Sequence, residues 1–276
     1  IASPTQPYPT HRQEAIMDLK LTGRSVLITG GSKGIGFGVA RWFAQEGCNL
    51  RLVARSQDDL DAAKAKIAKL AKVDVKTFAA DLSKAESRDK LVDACSDVDI
   101  LINNAGGVPG GSIEDIDDAK WRTAWDTKVF GYINMSRAFY TLMKARKRGV
   151  IINIIGVGGE RLDSGYIAGA TGNAALMAFT RTLGSTSIDD GVRVLGVNPG
   201  PVETERLEFL ARKRAADRLG DPERWREFYK NMPLGRAATV DETAASVVFL
   251  ASDLSAYTSG VIFTIDGGLV SRGALP

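Results

Sequence analysis

The chain has 276 residues, of which 44% are hydrophobic and 25% charged, and its formal net charge is +3. This length suits one large α/β domain with a substantial core, and the composition is ordinary for a globular protein. The small net charge argues against a nucleic-acid partner. A run of about 18 apolar residues, which a membrane-spanning helix needs, does not occur, so no membrane partner is expected.

The few cysteines and histidines argue against whole classes of site. Cys48 and Cys95 are the only cysteines, which fits reduced thiols in a cytoplasmic protein better than a disulfide framework. The single histidine, His11, lies in a proline-rich opening segment. Neither a Ser-His-Asp or Cys-His hydrolase site in the core nor a zinc site is therefore expected. Residues 1–16 show no period and no secretory leader, and we expect a loose tail followed by one domain over 17–276.

A glycine-rich stretch follows the first apolar run. Residues 25–29 form a short apolar run that predicts a buried strand, and residues 37–45 have a helical pattern. Between them lie Gly30, Gly34 and Gly36. Glycines allow a tight turn and close backbone approach, and a helix N-terminus presents free N–H groups to a pyrophosphate. The stretch predicts a phosphate cradle, with a tight turn that binds no ligand as the alternative.

Short apolar runs alternate with helical stretches along the rest of the chain. The predicted strands are 25–29, 49–54, 74–79, 98–102, 150–155, 192–198 and 261–265. The clearest helix is 57–71, with Leu60, Ala63, Ile67 and Leu70 on one face and lysines on the other. The alternation predicts right-handed crossovers and a mostly parallel sheet with helices on both faces. Ligands of such sheets bind beyond the carboxyl ends of the strands.

Five motifs follow one another between about Leu19 and Gly268. They are Thr29–Gly36 (T-G-x-x-x-G-I-G), Asp81-Leu82, Asn103–Gly106 (N-N-A-G), Asn198–Gly200 with Thr204, and Gly235-Arg236 with Asp266–Gly268. In this order they resemble the short-chain dehydrogenase/reductase family. The resemblance implies a Rossmann-type, doubly wound sheet of seven parallel strands in the order 3-2-1-4-5-6-7. It also implies a bound nicotinamide dinucleotide and assembly into a homodimer or homotetramer.

The resemblance also implies a set of residues that contact the cofactor. These are Gly30, Ser32, Lys33, Gly34, Ile35, Gly36, Arg55, Asp81, Leu82, Asn103, Ala105, Gly106, Pro199, Gly200, Val202 and Thr204. The second strand ends in Arg55. An acidic residue at this position would repel a 2′-phosphate, and none is present. Arg55 and Lys33 therefore favour NADP over NAD through charge-assisted hydrogen bonds. A solvated surface role for Arg55 is the alternative.

The four residues that carry catalysis in the family are all replaced. In the family, a tyrosine transfers the proton, a lysine lowers the pKa of that tyrosine, a serine holds the carbonyl and an asparagine positions a relay water. Ungapped comparison with the flanking segments places these four positions on Gly169, Asn173, Gly156 and Lys128 respectively. The replacement indicates either a different catalytic arrangement or the absence of hydride chemistry.

Tyr166 is the phenol nearest the vacant tyrosine position, three residues before it. We predict a rearranged site in which Tyr166 is the acid/base and Lys128 lowers the pKa of Tyr166 from its usual value near 10. Asn173 would position a water or the ribose. Alternatively, Tyr166 only covers the start of a helix, and Lys128 is solvated or pairs with Glu160 or Asp126.

Residues 205–235 interleave cations with aromatic residues, and in the family this region is the lid over the substrate. Such a lid would suit an acyl thioester or another anionic substrate, and an ordinary surface helix is the alternative. The sequence predicts one dinucleotide-binding catalytic domain over 17–276, an NADP-dependent oxidoreductase that interconverts a small-molecule secondary alcohol and a ketone. The rival is a catalytically silent dinucleotide-binding sensor or partner subunit.

Overall fold

Strands and helices alternate along residues 17–272, the part of the chain that our computed structural model describes. The predicted tail over 1–16, with His11, lies outside these residues. The strands are β1 Ser25–Thr29, β2 Asn49–Ala54, β3 Val75–Ala79, β4 Ile100–Asn103, β5 Gly149–Ile154, β6 Val192–Pro199 and β7 Ile262–Ile265. The α-helices are α1 Gly34–Gln45, α2 Gln57–Ala68, α3 Ala85–Ala94, α4 Asp118–Thr127, α5 Val129–Ala145, α6 Ile167–Gly184, α7 Glu205–Leu219 and α8 Val240–Ala251.

All seven strands are parallel and lie in the order β3-β2-β1-β4-β5-β6-β7. The predicted fold class and strand order are therefore confirmed. Alternate residues of β1 face opposite layers, since Val26 and Ile28 pack in one core cluster and Leu27 in the other. The chain runs outward from β1 to β3 and returns to β4, so a crevice opens at the carboxyl ends of β1 and β4.

Helices cover both faces of the sheet. Side chains of α1, α2 and α8 pack in the cluster that contains Val26, whereas those of α3 and α5 pack in the cluster that contains Leu27. Cys48 and Cys95 are buried, free thiols. No helix within residues 17–272 is both long and apolar enough to cross a membrane.

Two helix boundaries differ from the sequence prediction. Helix α1 begins at Gly34 instead of residue 37, because the three residues before Phe37 include two glycines, which carry no side chain to show a helical period. Helix α2 ends at Ala68, and residue 71, the last of the predicted helix, lies beyond it.

A buried guanidinium holds the end of α8 to the sheet. Arg193, on β6, donates to the carbonyl oxygens of Leu250 at 2.8 Å, Ala251 at 3.1 Å and Ser252 at 3.0 Å. Carbonyl groups in the last turn of a helix have no partner within the helix, and a cation there also complements the helix dipole.

Replacing Arg193 by methionine should lower the free energy of unfolding by about 2 to 4 kcal/mol, because several buried carbonyls lose their donor. Urea denaturation of both proteins measures this difference. Arg122→Met is the matched control, since Arg122 forms an exposed pair with Asp118 on α4 and should cost less than about 0.5 kcal/mol. Equal losses of unfolding free energy in the two variants would show that Arg193 does not stabilise the end of α8.

Candidate active site

The loop between β1 and α1 depends on close backbone approach. Gly30 and Gly34 have φ angles of 65° and 53°, in the region that favours glycine. A Cβ atom at Gly36 would overlap the carbonyl oxygen of Gly30 and the side-chain nitrogen of Asn104. Lys33, at the N-cap of α1, makes no side-chain hydrogen bond to the helix. The loop therefore places the start of α1 where a phosphate group can approach its backbone N–H groups.

Hydrogen bonds join the ends of β1 and β4 across the crevice. The Thr29 hydroxyl accepts from the backbone N–H groups of Asn104 at 2.8 Å and Ala105 at 3.0 Å. Asn104 Nδ2 donates to the carbonyl oxygens of Thr29 at 3.0 Å and Gly30 at 3.2 Å. The motifs at 29–36 and 103–106 therefore form one structure, and Asn104 is a supporting residue that the sequence prediction did not include.

Asn103 has a different position from its neighbour. Its side chain is fully buried, and its Nδ2 donates to Ser136 Oγ at 3.0 Å and Asn153 Oδ1 at 2.9 Å. Both bonds hold the Nδ2 group inside the protein, and the Oδ1 atom has no partner among the described residues.

Charged residues lie around the predicted adenosine end of the crevice. Asp81 accepts from the backbone N–H of Ser83 at 3.0 Å and its hydroxyl at 2.7 Å. These bonds lower the pKa of Asp81, and the charge of Arg55 adds a smaller effect. Arg55 is exposed, and Lys33 Nζ lies 3.0 Å from a carboxylate oxygen of Asp59. The carboxylate of Asp59 thus offsets the charge of Lys33, one of the two cations that favour a 2′-phosphate.

Leu82 packs in a core cluster and is 5% exposed, so its backbone is the part that a ligand can reach. Ser32 and Ile35, the other predicted contacts in the glycine loop, are half-buried there.

The loop after β6 lies against the glycine loop. Gly200 N–H donates to the carbonyl oxygen of Ile265 at 2.9 Å, and Val202 forms a bridge with Ala238. The Thr204 hydroxyl caps α7 by accepting from Leu207 N–H at 3.2 Å. Its methyl group would lie 3.4 Å from a Cβ atom at Gly34. Pro199, at the end of β6, and Thr204 thus belong to the same crevice as the glycine loop.

The Tyr166 ring covers Gly169. Tyr166 is the N-cap of α6, and a Cβ atom at Gly169 would overlap its ring carbons Cζ, Cε1 and Cε2. The same ring would lie 3.3 Å from a Cβ atom at Gly158. The Tyr166 ring therefore leaves no room for a side chain at position 169. It fills the space above Gly169, the position that holds the tyrosine in the family.

Asn173 has a buried acceptor without a partner. Its side chain is 3% exposed, and its Nδ2 donates to the carbonyl oxygen of Gly156 at 3.2 Å. Its Oδ1 has no hydrogen-bond partner within residues 17–272. A buried acceptor of this kind is normally satisfied. A ribose hydroxyl could supply the missing donor, so the glycine loop and Asn173 together fit a dinucleotide.

Lys128 is buried at the junction of α4 and α5. Its Nζ donates to the carbonyl oxygen of Ile155 at 2.7 Å. Burial, with a smaller contribution from the nearby charge of Arg206, lowers the pKa of Lys128 to about 8. The alternative of a solvated Lys128 is therefore wrong, and its ammonium bonds a backbone carbonyl and not Glu160 or Asp126. Gly106, with a φ of 137°, gives it room, since a Cβ atom there would lie 2.8 Å from Lys128 Cβ.

Arg206 is the cation next to the phenol. It lies in the first turn of α7, and its Nη2 donates to the carbonyl oxygen of Val108 at 2.7 Å. Burial raises the pKa of Tyr166, while the nearby guanidinium of Arg206 opposes that rise. Lys128 does not contribute to this balance. The sequence showed Arg206 only as one lid cation among several, two residues after Thr204.

Other cations of the lid segment 205–235 bind the protein itself. Arg212 pairs with Glu208 at 2.8 Å and with Glu223, and Arg214 lies 3.4 Å from Asp163. The guanidinium of Arg212 also lies over the Trp225 ring, 5.5 Å from its centroid. These contacts favour a structural role for Arg212 and Arg214 over binding of an anionic substrate.

Lys128→Met should change how stability depends on pH. The pKa of Lys128 is lowered from 10.5 to about 8 in the folded protein, so between these values the unfolded chain binds more protons than the folded one. Stability relative to the variant should therefore rise with pH, by about 3 kcal/mol between pH 8 and pH 10.5. Chemical denaturation over a pH series measures it, with Lys120→Met on the exposed side of α4 as a control for losing a lysine. A flat difference would contradict a buried ammonium.

A family comparison confirms this architecture. The short-chain dehydrogenase model described as enoyl-(acyl carrier protein) reductase matches residues 30–270. The chain belongs to the short-chain dehydrogenase/reductase family. Its seven-stranded parallel sheet is the Rossmann-like fold of that family.

Relatives within the short-chain dehydrogenase/reductase family cover nearly the whole chain. Oxidoreductase UcpA of Salmonella typhimurium is 36% identical over 256 residues, which cover 90% of this chain and 95% of that protein. Glucose and ribitol dehydrogenase of Daucus carota is 32% identical over 269 residues, covering 92% and 87%. The crystal structure of L-sorbose reductase from Gluconobacter frateurii, complexed with NADPH and L-sorbose, has a TM-score of 0.86 and 31% identity, and the match covers 93% and 100%.

Proposed function

We propose that this chain is an NADP-dependent reductase that converts a ketone into a secondary alcohol, with Tyr166 as the proton donor. The observation that carries the proposal is the placement of the Tyr166 ring over Gly169, where it fills the space above the position that holds the family's tyrosine. The phenol lies at the start of α6, whose Asn173 carries the unpartnered acceptor. Membership of an oxidoreductase family supports the reaction type.

Two observations support NADP as the cofactor. Arg55 follows the second strand and Lys33 lies in the glycine loop, so the charge of Arg55, with that of Lys33 partly offset by Asp59, would favour a 2′-phosphate. The L-sorbose reductase that shares this fold was crystallised with NADPH.

Different residues of the crevice would bind the cofactor and donate the proton. The backbone of the glycine loop and the start of α1 would bind the pyrophosphate, and Asn173 Oδ1 would accept a hydrogen bond from a ribose hydroxyl. When bound, the dinucleotide supplies a hydride. Tyr166 would donate its proton to the carbonyl oxygen of the substrate. Because burial keeps its pKa raised, the phenol is protonated at neutral pH, which favours reduction over oxidation.

The proposed substrate is a small-molecule ketone or secondary alcohol. Arg212 and Arg214 pair with acids of the protein, which leaves the acyl thioester as a prediction without direct support. The homodimer or homotetramer and the cytoplasmic location likewise stay predictions.

The test measures binding and turnover separately. Calorimetric titration with NADPH and NADH should show tighter binding of NADPH, and a panel of ketones, sugars, steroids and acyl thioesters should show substrate-dependent loss of NADPH absorbance. Binding without turnover on any substrate would favour the silent dinucleotide-binding protein. Failure to bind either dinucleotide would overturn both interpretations.

A further inference from the structure

We propose that Arg206 is the positioning residue that stabilises the ionised form of Tyr166, in the role that the family assigns to a lysine at position 173. The inference rests on the proposed function, because it concerns the same phenol. Asn173 carries no charge, and the ammonium of Lys128 is bonded to Ile155. The guanidinium of Arg206 is bonded to the carbonyl oxygen of Val108, and the side chains of Val108 and Tyr166 pack in one apolar cluster. The charge of Arg206 lowers the pKa of Tyr166 from this position.

The guanidinium of Arg206 lies in a site that fixes its position. Its Nη2 donates to the carbonyl oxygen of Val108 at 2.7 Å, on the loop that follows β4. A Cβ atom at Gly107 would lie 2.6 Å from its Nη1, so glycine at 107 allows the guanidinium to lie flat against the loop. A planar fork of five donors can bond this carbonyl and still bond a phenol oxygen.

The phenol is held from the other side. Its ring lies against Gly169 and Gly158, and its backbone N–H donates to the carbonyl oxygen of Asp163 at 2.9 Å. The Asp163 carboxylate accepts from Gly165 N–H at 2.8 Å and lies 3.4 Å from Arg214. Both ends of the contact between Arg206 and Tyr166 are therefore fixed by the protein.

Other ionisable groups face this phenol from neighbouring elements. Tyr132 on α5 is close enough for charge on Tyr166 to raise its pKa, and its hydroxyl donates to the carbonyl oxygen of Ile154 at 2.9 Å. Lys128, between α4 and α5, lies near Arg206. Neither group supplies an opposite charge to the phenol oxygen, so Arg206 from α7 supplies it alone among the described residues.

The proton-transfer step shows why this charge matters. In reduction, a bound NADPH would supply the hydride for the new C–H bond, and the carbonyl π electrons would form an O–H bond with the proton of Tyr166. The Tyr166 O–H bond breaks and its electron pair stays on the phenolate, beside the Arg206 guanidinium. Water then returns a proton to the phenolate, and the cofactor leaves oxidised. In the reverse direction, alcohol oxidation, the Tyr166 phenolate is the base. At a pH below the pKa of Tyr166, the rate of oxidation therefore depends on how far the phenolate is stabilised.

Removing the guanidinium should therefore raise the pKa of Tyr166. Arg206→Met should raise it further, and alcohol oxidation at a fixed pH below that pKa should fall by about tenfold. Arg206→Lys should restore part of the loss. Arg218→Met is the matched control, since Arg218 lies on the same helix and is exposed; its pH profile should match the wild type.

A readout without turnover keeps this test independent of the proposed function. NMR titration of protein labelled at tyrosine Cζ, with Tyr166→Phe to assign the signal, reports the pKa of Tyr166 directly. A higher pKa in Arg206→Met, and no effect of Arg206→Met on turnover in a Tyr166→Phe background, would support the inference. An unchanged pKa would overturn it, even if the wild type is an active reductase. So would a loss confined to the KM of anionic substrates, because Arg206 would then bind substrate instead.

Discussion

Tyr166→Phe should lower ketone reduction by about 10²- to 10⁴-fold, the usual contribution of a positioned general acid. The phenylalanine ring keeps the packing against Gly169 and Gly158 and loses only the hydroxyl. We therefore expect the affinity for NADPH and the free energy of unfolding to change little. Steady-state turnover with saturating NADPH, together with calorimetric binding, separates a lost proton donor from a damaged crevice.

Tyr257→Phe is the matched control for this substitution, since Tyr257 is fully exposed and its loss should leave turnover unchanged. Gly169→Ala offers an opposite approach: its Cβ atom would overlap the Tyr166 ring, so the ring must move while the hydroxyl is kept. A similar fall in turnover is expected. Undiminished turnover in Tyr166→Phe would remove this tyrosine from the mechanism.

Gly36→Ala should weaken dinucleotide binding by about 100-fold, near the upper end of the cost of overpacking a close contact. The added Cβ atom would overlap the carbonyl oxygen of Gly30 and Asn104 Nδ2. Neither can move freely, because Asn104 is also bonded to Thr29. The glycine loop must then separate from the start of α1, which removes the backbone positions that a pyrophosphate would contact.

Gly131→Ala controls for adding a methyl group to a helix. A Cβ atom at Gly131, on α5, would make an ordinary contact 3.6 Å from the carbonyl oxygen of Asp126. We expect it to bind NADPH as the wild type does. Calorimetric titration of both variants measures the effect, and equal affinities for Gly36→Ala and wild type would show that the cradle does not bind the dinucleotide.

The order of elements follows from short stretches of sequence. Strands β1 and β2 have the bounds that their apolar runs predict, and β3 differs by one residue. Parallel strands buried on both faces, such as β1, need continuous apolar residues, so such a strand is visible in its own sequence. The glycine spacing in Thr29–Gly36 likewise depends on local backbone geometry. Strand β4 begins two residues later than predicted, at Ile100.

The arrangement around the phenol depends on contacts between distant parts of the chain. Arg206 and Val108 are separated by 98 residues, and no local period shows that a lid cation will lie on that loop and reach Tyr166. Lys128 looked like a charge available to the phenol, but packing buries it and turns its ammonium to Ile155. Sequence alone determined the strands and the glycine loop, because their signals are local, while the strand order was implied by the resemblance to the family. Tertiary packing decided which cation lies beside the phenol, because charges act through space and not along the chain.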